Sequence, residues 1–123
     1  MNQEEYQNNI IAIANYYDYD SQSRQLIEEM AELTVAINKL WRKSLLYGFI
    51  SLEDIHREEA KYANSTKFIE EKEVQNVIEE IADIEIMLAQ IKYLLGCQDE
   101  VEQEKERKIL RQLERMKEEV EGE

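Results

Sequence analysis

Residues 26–33 read Leu26-Ile27-Glu28-Glu29-Met30-Ala31-Glu32-Leu33, and residues 77–84 read Val77-Ile78-Glu79-Glu80-Ile81-Ala82-Asp83-Ile84. The two stretches align without gaps. Ile, Glu, Glu and Ala recur in the same places, one position exchanges Glu for Asp, and the other three are apolar in both. Each stretch belongs to a longer apolar stripe at helical spacing. Leu26, Met30, Leu33, Ile37 and Leu40 predict a helix from near Gln22 to Tyr47, stopped by Gly48. Val74, Val77, Ile81, Ile84, Leu88, Ile91 and Leu95 predict a second long helix over about Lys67 to Leu95, capped by Gly96.

Outward from this pair the pattern stays helical. Ile10, Ile11 and Ile13 among polar residues fit an amphipathic helix over roughly Glu4 to Tyr16. Asp18, Asp20, Ser21 and Ser23 then supply side-chain acceptors for the start of the next helix. Ser51 and Asp54 approximate a capping box, so a short helix from Leu52 to about Tyr62 is expected, broken by Asn64, Ser65 and Thr66. Beyond Asp99 the chain is mostly charged. Ile109, Leu113, Met116 and Val120 still repeat there, which predicts a C-terminal helix over about 99–120 with a narrow seam for a partner. With no Pro and three Gly in 123 residues, the punctuation of an all-β fold is missing. The expectation is one all-α domain over residues 1–123, a four-helix-type bundle with two long antiparallel helices plus shorter ones.

Charge and composition exclude several functions. A formal net charge of -13 disfavours nucleic acid as a direct partner, since a polyanion needs a basic surface. The single cysteine, Cys97, permits no internal disulfide and no zinc cluster, which fits a reducing cytoplasm. The apolar run Leu45 to Ile50 is too short to span a membrane, so a soluble protein with no membrane partner is expected. Glu53-x-x-His56 is one half of a di-iron pattern that needs two such motifs, and the chain has one histidine. His56 therefore reads as a surface residue. There is no Ser/His/Asp or Cys/His set and no Gly-rich phosphate loop.

The chemistry lies in the acids of the repeated stretch. At about 100° per residue, with Leu26 or Val77 as zero, Glu29 and Glu80 both fall near 300°, and Glu32 and Asp83 both near 240°. Glu28 and Glu79 fall near 200°, facing outward. If the two stripes pack antiparallel, four carboxylates converge on one place and repel unless they take up protons or cations. Hard divalent cations suit such an oxygen-rich site. Magnesium in particular keeps coordination positions for water and phosphate oxygens.

The pattern Glu28-Glu29-x-x-Glu32, followed by Glu79-Glu80-x-Ala82-Asp83 on a second long helix, resembles the MazG-like all-α nucleoside triphosphate pyrophosphohydrolases. The resemblance covers about Gln25 to Leu95. It implies magnesium-dependent cleavage of (deoxy)nucleoside triphosphates to the monophosphate and pyrophosphate, with manganese as a possible substitute and nucleotide-pool cleaning as the role. It also implies Glu29, Glu32, Glu80 and Asp83 as metal ligands. Lys108, Arg111 and Arg115 are similar to basic positions that follow the second helix in some relatives, which makes Lys108 and Arg111 candidates for the substrate's phosphates. Salt-bridged helix surface is their alternative.

Four further candidates come from the residues themselves. Glu28 is placed to activate water or to support the ligands, against a purely solvated face. Lys39, with Arg42 and Lys43, could meet phosphates or simply offset the negative end of its helix. Trp41 could stack on a base or serve as a core or dimer contact. Asn76 could hydrogen-bond a base or sugar, or only water. A small domain with exposed stripes suggests a homodimer or homotetramer. A helical adaptor, or an oligomer that binds nucleotide without turnover, is the competing class.

Overall fold

The computed structural model describes residues 1–47 and 71–122, and these are all-α. Among them are three helices, α1 (Gln3–Tyr47), α2 (Glu71–Leu95) and α3 (Gln98–Glu121), and no strand. The expected short helix between Leu52 and Tyr62, with Ser51, Asp54, His56, Asn64, Ser65 and Thr66, lies outside the described residues.

Asn2 starts α1 by a reciprocal cap. The Glu5 backbone N–H donates to Asn2 Oδ1 at 2.8 Å, and Asn2 Nδ2 donates to Glu5 Oε1 at 3.2 Å. The two helices expected between Glu4 and Tyr47 form the two arms of α1, which meet at a break of one residue. Asp18 takes φ 74° and ψ 174°, a conformation that side-chain-bearing residues rarely adopt. Its carboxylate accepts the Ser21 N–H at 3.0 Å and so restarts the helix. The cluster of short polar residues marked the place, while the break itself is narrower than the sequence suggested.

The bend keeps both arms of α1 on α2. In the first arm Ile10 and Ala14 are buried, and Asn15 Nδ2 donates to Tyr93 Oη at 3.2 Å. In the second arm Gln22 Nε2 donates to Gln90 Oε1 at 2.7 Å. Further along, Glu29 meets Glu80 and Asp83. Rising numbers on α1 thus meet falling numbers on α2, and the pair is antiparallel. α2 ends in a Schellman motif at Gly96, where φ is 64°: Cys97 N–H donates to Lys92 O and Gly96 N–H to Tyr93 O, both at 3.0 Å. α3 follows after this tight turn and contributes no buried residue.

The contact seam is rotated from the expected stripes. The seam runs along Gln22, Leu26, Glu29, Leu33, Ala36 and Leu40 on the second arm of α1 and along Glu73, Val77, Glu80, Ile84, Met87, Ile91 and Leu94 on α2, all buried or half-buried, with Val74 and Gln90 buried beside it. Both series alternate spacings of four and three, the geometry of two helices packed nearly along one another. Met30, Ile37, Ile81, Leu88 and Leu95, counted in the stripes, remain 42–57% exposed. They form an apolar flank beside the seam. Gln25, Glu32, Lys39, Asn76 and Asp83 form the opposite flank, because corresponding positions of antiparallel helices fall on the same side.

Candidate metal and phosphate site

Two turns of α1 and two of α2 bring the repeated stretches face to face. Glu29 and Glu80 occupy the seam itself, and Glu32 and Asp83 lie on the polar flank next to it. One carboxylate oxygen from each of Glu29, Glu32 and Glu80 lies within 4.8 Å of the others. Asp83, expected as the fourth ligand, lies outside this group of three and is coupled to it through the charge of Glu29. Gln25, one turn before Glu29, donates from Nε2 to Glu29 Oε1 at 2.7 Å and fixes that carboxylate.

The electrostatics follow from this crowding. Desolvation in the seam, then the hydrogen bond with Glu29 and the charges of Glu32, Glu29 and Asp83, push the Glu80 carboxyl up to about 7. Asp83 is also held above the usual carboxylate range, by desolvation first, then by the charge and hydrogen bond of Glu29 and the charge of Glu79. Near neutrality the Glu80 carboxyl is therefore part-protonated and can donate a hydrogen bond across the helix pair.

The donor set fits a hard divalent cation. Oxygens on opposite sides of a magnesium ion lie about 4.2 Å apart, twice the metal–oxygen distance, so Glu29, Glu32 and Glu80 need only a small side-chain adjustment. Glu29 Oε2 and Glu80 Oε2 are shielded from solvent and accept no hydrogen bond from any described residue. Buried oxygens in that state carry an unmet need for a proton or a cation.

Beside the acids, Ala31, Glu32, Val35, Ala36, Lys39, Asn76 and Glu80 line an open cleft of about 470 Å³. Lys39 and Asn76 therefore lie on the same polar flank as the carboxylates. Glu28 is exposed, about 40° round α1 from Glu32 and one turn earlier. The other candidates are elsewhere. Trp41 does not line the cleft: two residues beyond Lys39, it sits about 200° round the helix, beside the apolar flank, and is 58% exposed. Lys108 and Arg111 are on α3, whose contact with α2 is slight, and both lie in the field of Glu104. Sequence reasoning missed Gln25 and the small residues Ala31 and Ala36 that open the cleft. The spacing of Gln25 to Glu29 was the available signal.

Compared with known proteins, the sequence matches no family, no curated protein and no solved structure.

Proposed function

We propose that this protein hydrolyses nucleoside triphosphates to the monophosphate and pyrophosphate in a magnesium-dependent reaction. The convergence of Glu29, Glu32 and Glu80, with two shielded oxygens that accept no hydrogen bond from a described residue, carries this reading. Glu29, Glu32, Glu80 and Asp83 would hold the cation. Bound there, magnesium supplies charge neutralisation for the phosphate oxygens and a more acidic bound water. Lys39 would take a phosphate oxygen across the cleft, and Asn76 a polar group of the nucleoside. Glu28 would accept the proton of the attacking water from the exposed edge of α1. Water adds across the phosphoanhydride between the α and β phosphorus atoms, so the products are one monophosphate and one pyrophosphate.

The acting species in this reading is a homodimer or homotetramer. Its support is the apolar flank, where Met30, Ile37, Ile81, Leu88 and Leu95 keep much of their surface in water. A four-helix-type bundle would then form from two helix pairs.

The test is pyrophosphate release over a panel of ribo- and deoxynucleoside triphosphates with magnesium, with manganese, and with chelator. Turnover that vanishes with chelator and falls at least a hundredfold in Glu80→Gln supports the proposal. No release from any triphosphate, together with no magnesium-dependent change in thermal stability, would leave the helical adaptor as the better reading.

A further inference from the structure

Asp18 alone joins the first arm of α1, residues 3–17, to the second. Its φ of 74° is a conformation that a residue with a side chain rarely takes. Residues 15–21 are all exposed, so no packing over the bend holds it closed. What holds it is the Asp18 carboxylate on the Ser21 N–H and the seat of the arm itself, where Ile10 and Ala14 are buried and Asn15 bonds Tyr93. Among the described residues α1 packs on α2 and not on α3.

A straight α1 would reach elsewhere. Gln22 stands opposite Gln90, and α2 runs only five residues further, to Leu95. At 1.5 Å per residue those five span about 7.5 Å, whereas along an unbroken helix Ala14 would lie about 12 Å beyond Gln22, and Ile10 about 18 Å. The arm would then project past the end of its own α2 and leave the surface beside Tyr93 empty. On a second copy the same two surfaces are complementary, since each already fits the other within one chain. Straightening also returns the Ser21 N–H to the Tyr17 carbonyl, its ordinary helical partner, and relieves the backbone at Asp18. Exchange between two copies thus keeps the contacts of the arm and relaxes two hinges, against the entropy of association. Short hinges under strain favour such exchange.

We propose that two copies of this chain exchange their first arms: α1 straightens at Asp18, and residues 3–17 of each copy seat on the α2 of the other. The second arm stays on its own α2, so Glu29, Glu32 and Glu80 remain together within one chain. The contact is separate from the apolar flank of the helix pair.

The full chain with Cys97→Ser tests this by directed cross-linking. Asn15→Cys chains and Tyr93→Cys chains carrying different tags are mixed, incubated at high concentration and treated with a bis-maleimide that spans the length of the lost tyrosine ring. Neither chain holds two thiols, so a 15–93 product joins two molecules. That product is expected in clear excess over 15–15 and 93–93. Self-pairs forming as readily as the mixed product would overturn the proposal, and so would the absence of any cross-link. Sedimentation equilibrium on chains with the native Asn15, Tyr93 and Cys97 reads the hinge. Glycine tolerates the bend and disfavours an unbroken helix, alanine does the reverse, and both lose the cap to Ser21. Two hinges open per dimer, so Asp18→Ala should show a dissociation constant at least about tenfold lower than Asp18→Gly. Equal constants, or tighter association of Asp18→Gly, would overturn the exchange. The apolar flank is the same in both variants, so association through it does not produce the difference.

Discussion

Gln22 donates a 2.7 Å hydrogen bond to Gln90 across the α1–α2 seam, and both side chains are buried, at 8% and 1% exposure. The Gln90 amide turns its own donor towards Met87 Sδ at 3.7 Å. A polar pair in an otherwise apolar layer has one good register, because any slip leaves two buried amides without partners. That register sets Glu29, two turns on from Gln22, against Glu80.

Breaking the pair should therefore cost more than the lost contact. Gln90→Ala is expected to destabilise the protein by about 1–3 kcal/mol, the penalty of a stranded buried amide plus a cavity. Gln22→Leu with Gln90→Leu should recover most of it. Thermal unfolding followed by circular dichroism checks the pair, and additivity of the two single changes would show that the residues are not coupled.

Glu80 predicts an unusual pH response for the metal-free protein. Its carboxyl titrates near 4.5 when unfolded and at about 7 when folded, so between those values the folded chain holds the extra proton. Raising the pH through that window removes this proton and lowers stability, and the full penalty stands above 7. Asp83, also raised, acts in the same direction. In chelator, Tm should decline from pH 5 to pH 8 in the wild type and decline less in Glu80→Gln. At pH 8 the variant should melt higher.

Magnesium should reverse that order. A cation bound only by the folded state stabilises it by about 2.7 kcal/mol at a hundred times its Kd, a Tm rise of several degrees. Glu32→Gln combined with Asp83→Asn should abolish the rise while the metal-free fold persists. An equal rise in that double variant would remove the carboxylates from metal binding.

Asp18 combines a strained backbone with a useful side chain. Asp18→Gly relieves the positive φ and loses the cap to Ser21, whereas Asp18→Ala keeps the strain and loses the same cap. The Ala variant should be the less stable of the two, by about 1 kcal/mol or more. Denaturant melts that place Ala level with Gly would show that the bend carries no strain.

Lys39 should act on binding more than on turnover. Lys39→Met is expected to raise KM for triphosphate while kcat changes little, since one cationic contact to a non-reacting oxygen is made in both ground and transition states. Steady-state kinetics with saturating magnesium separates the two effects.

The helical class and the pairing of the acids were legible because period and charge recur together in residues 26–33 and 77–84. The angular position was read less well. Met30, Ile37, Ile81 and Leu88 are apolar and share the helical period of the seam, which draws the apparent centre of each stripe towards the flank. Glu29 and Glu80 consequently looked like edge residues, although they lie in the seam. The burial of Gln22 and Gln90 was hidden for another reason: each amide is tolerable only because of the other, and a single helix does not display its partner. Trp41 lies nine residues beyond Glu32, two and a half turns of helix, which sets it on the opposite face from that acid.

The separation of the helix pair into an apolar flank and a polar flank has a consequence for how such a chain can diverge. If the proposed function holds, mutations that alter association and mutations that alter turnover would fall on different residues, with the seam between them. A lineage could exchange one property and inherit the other intact.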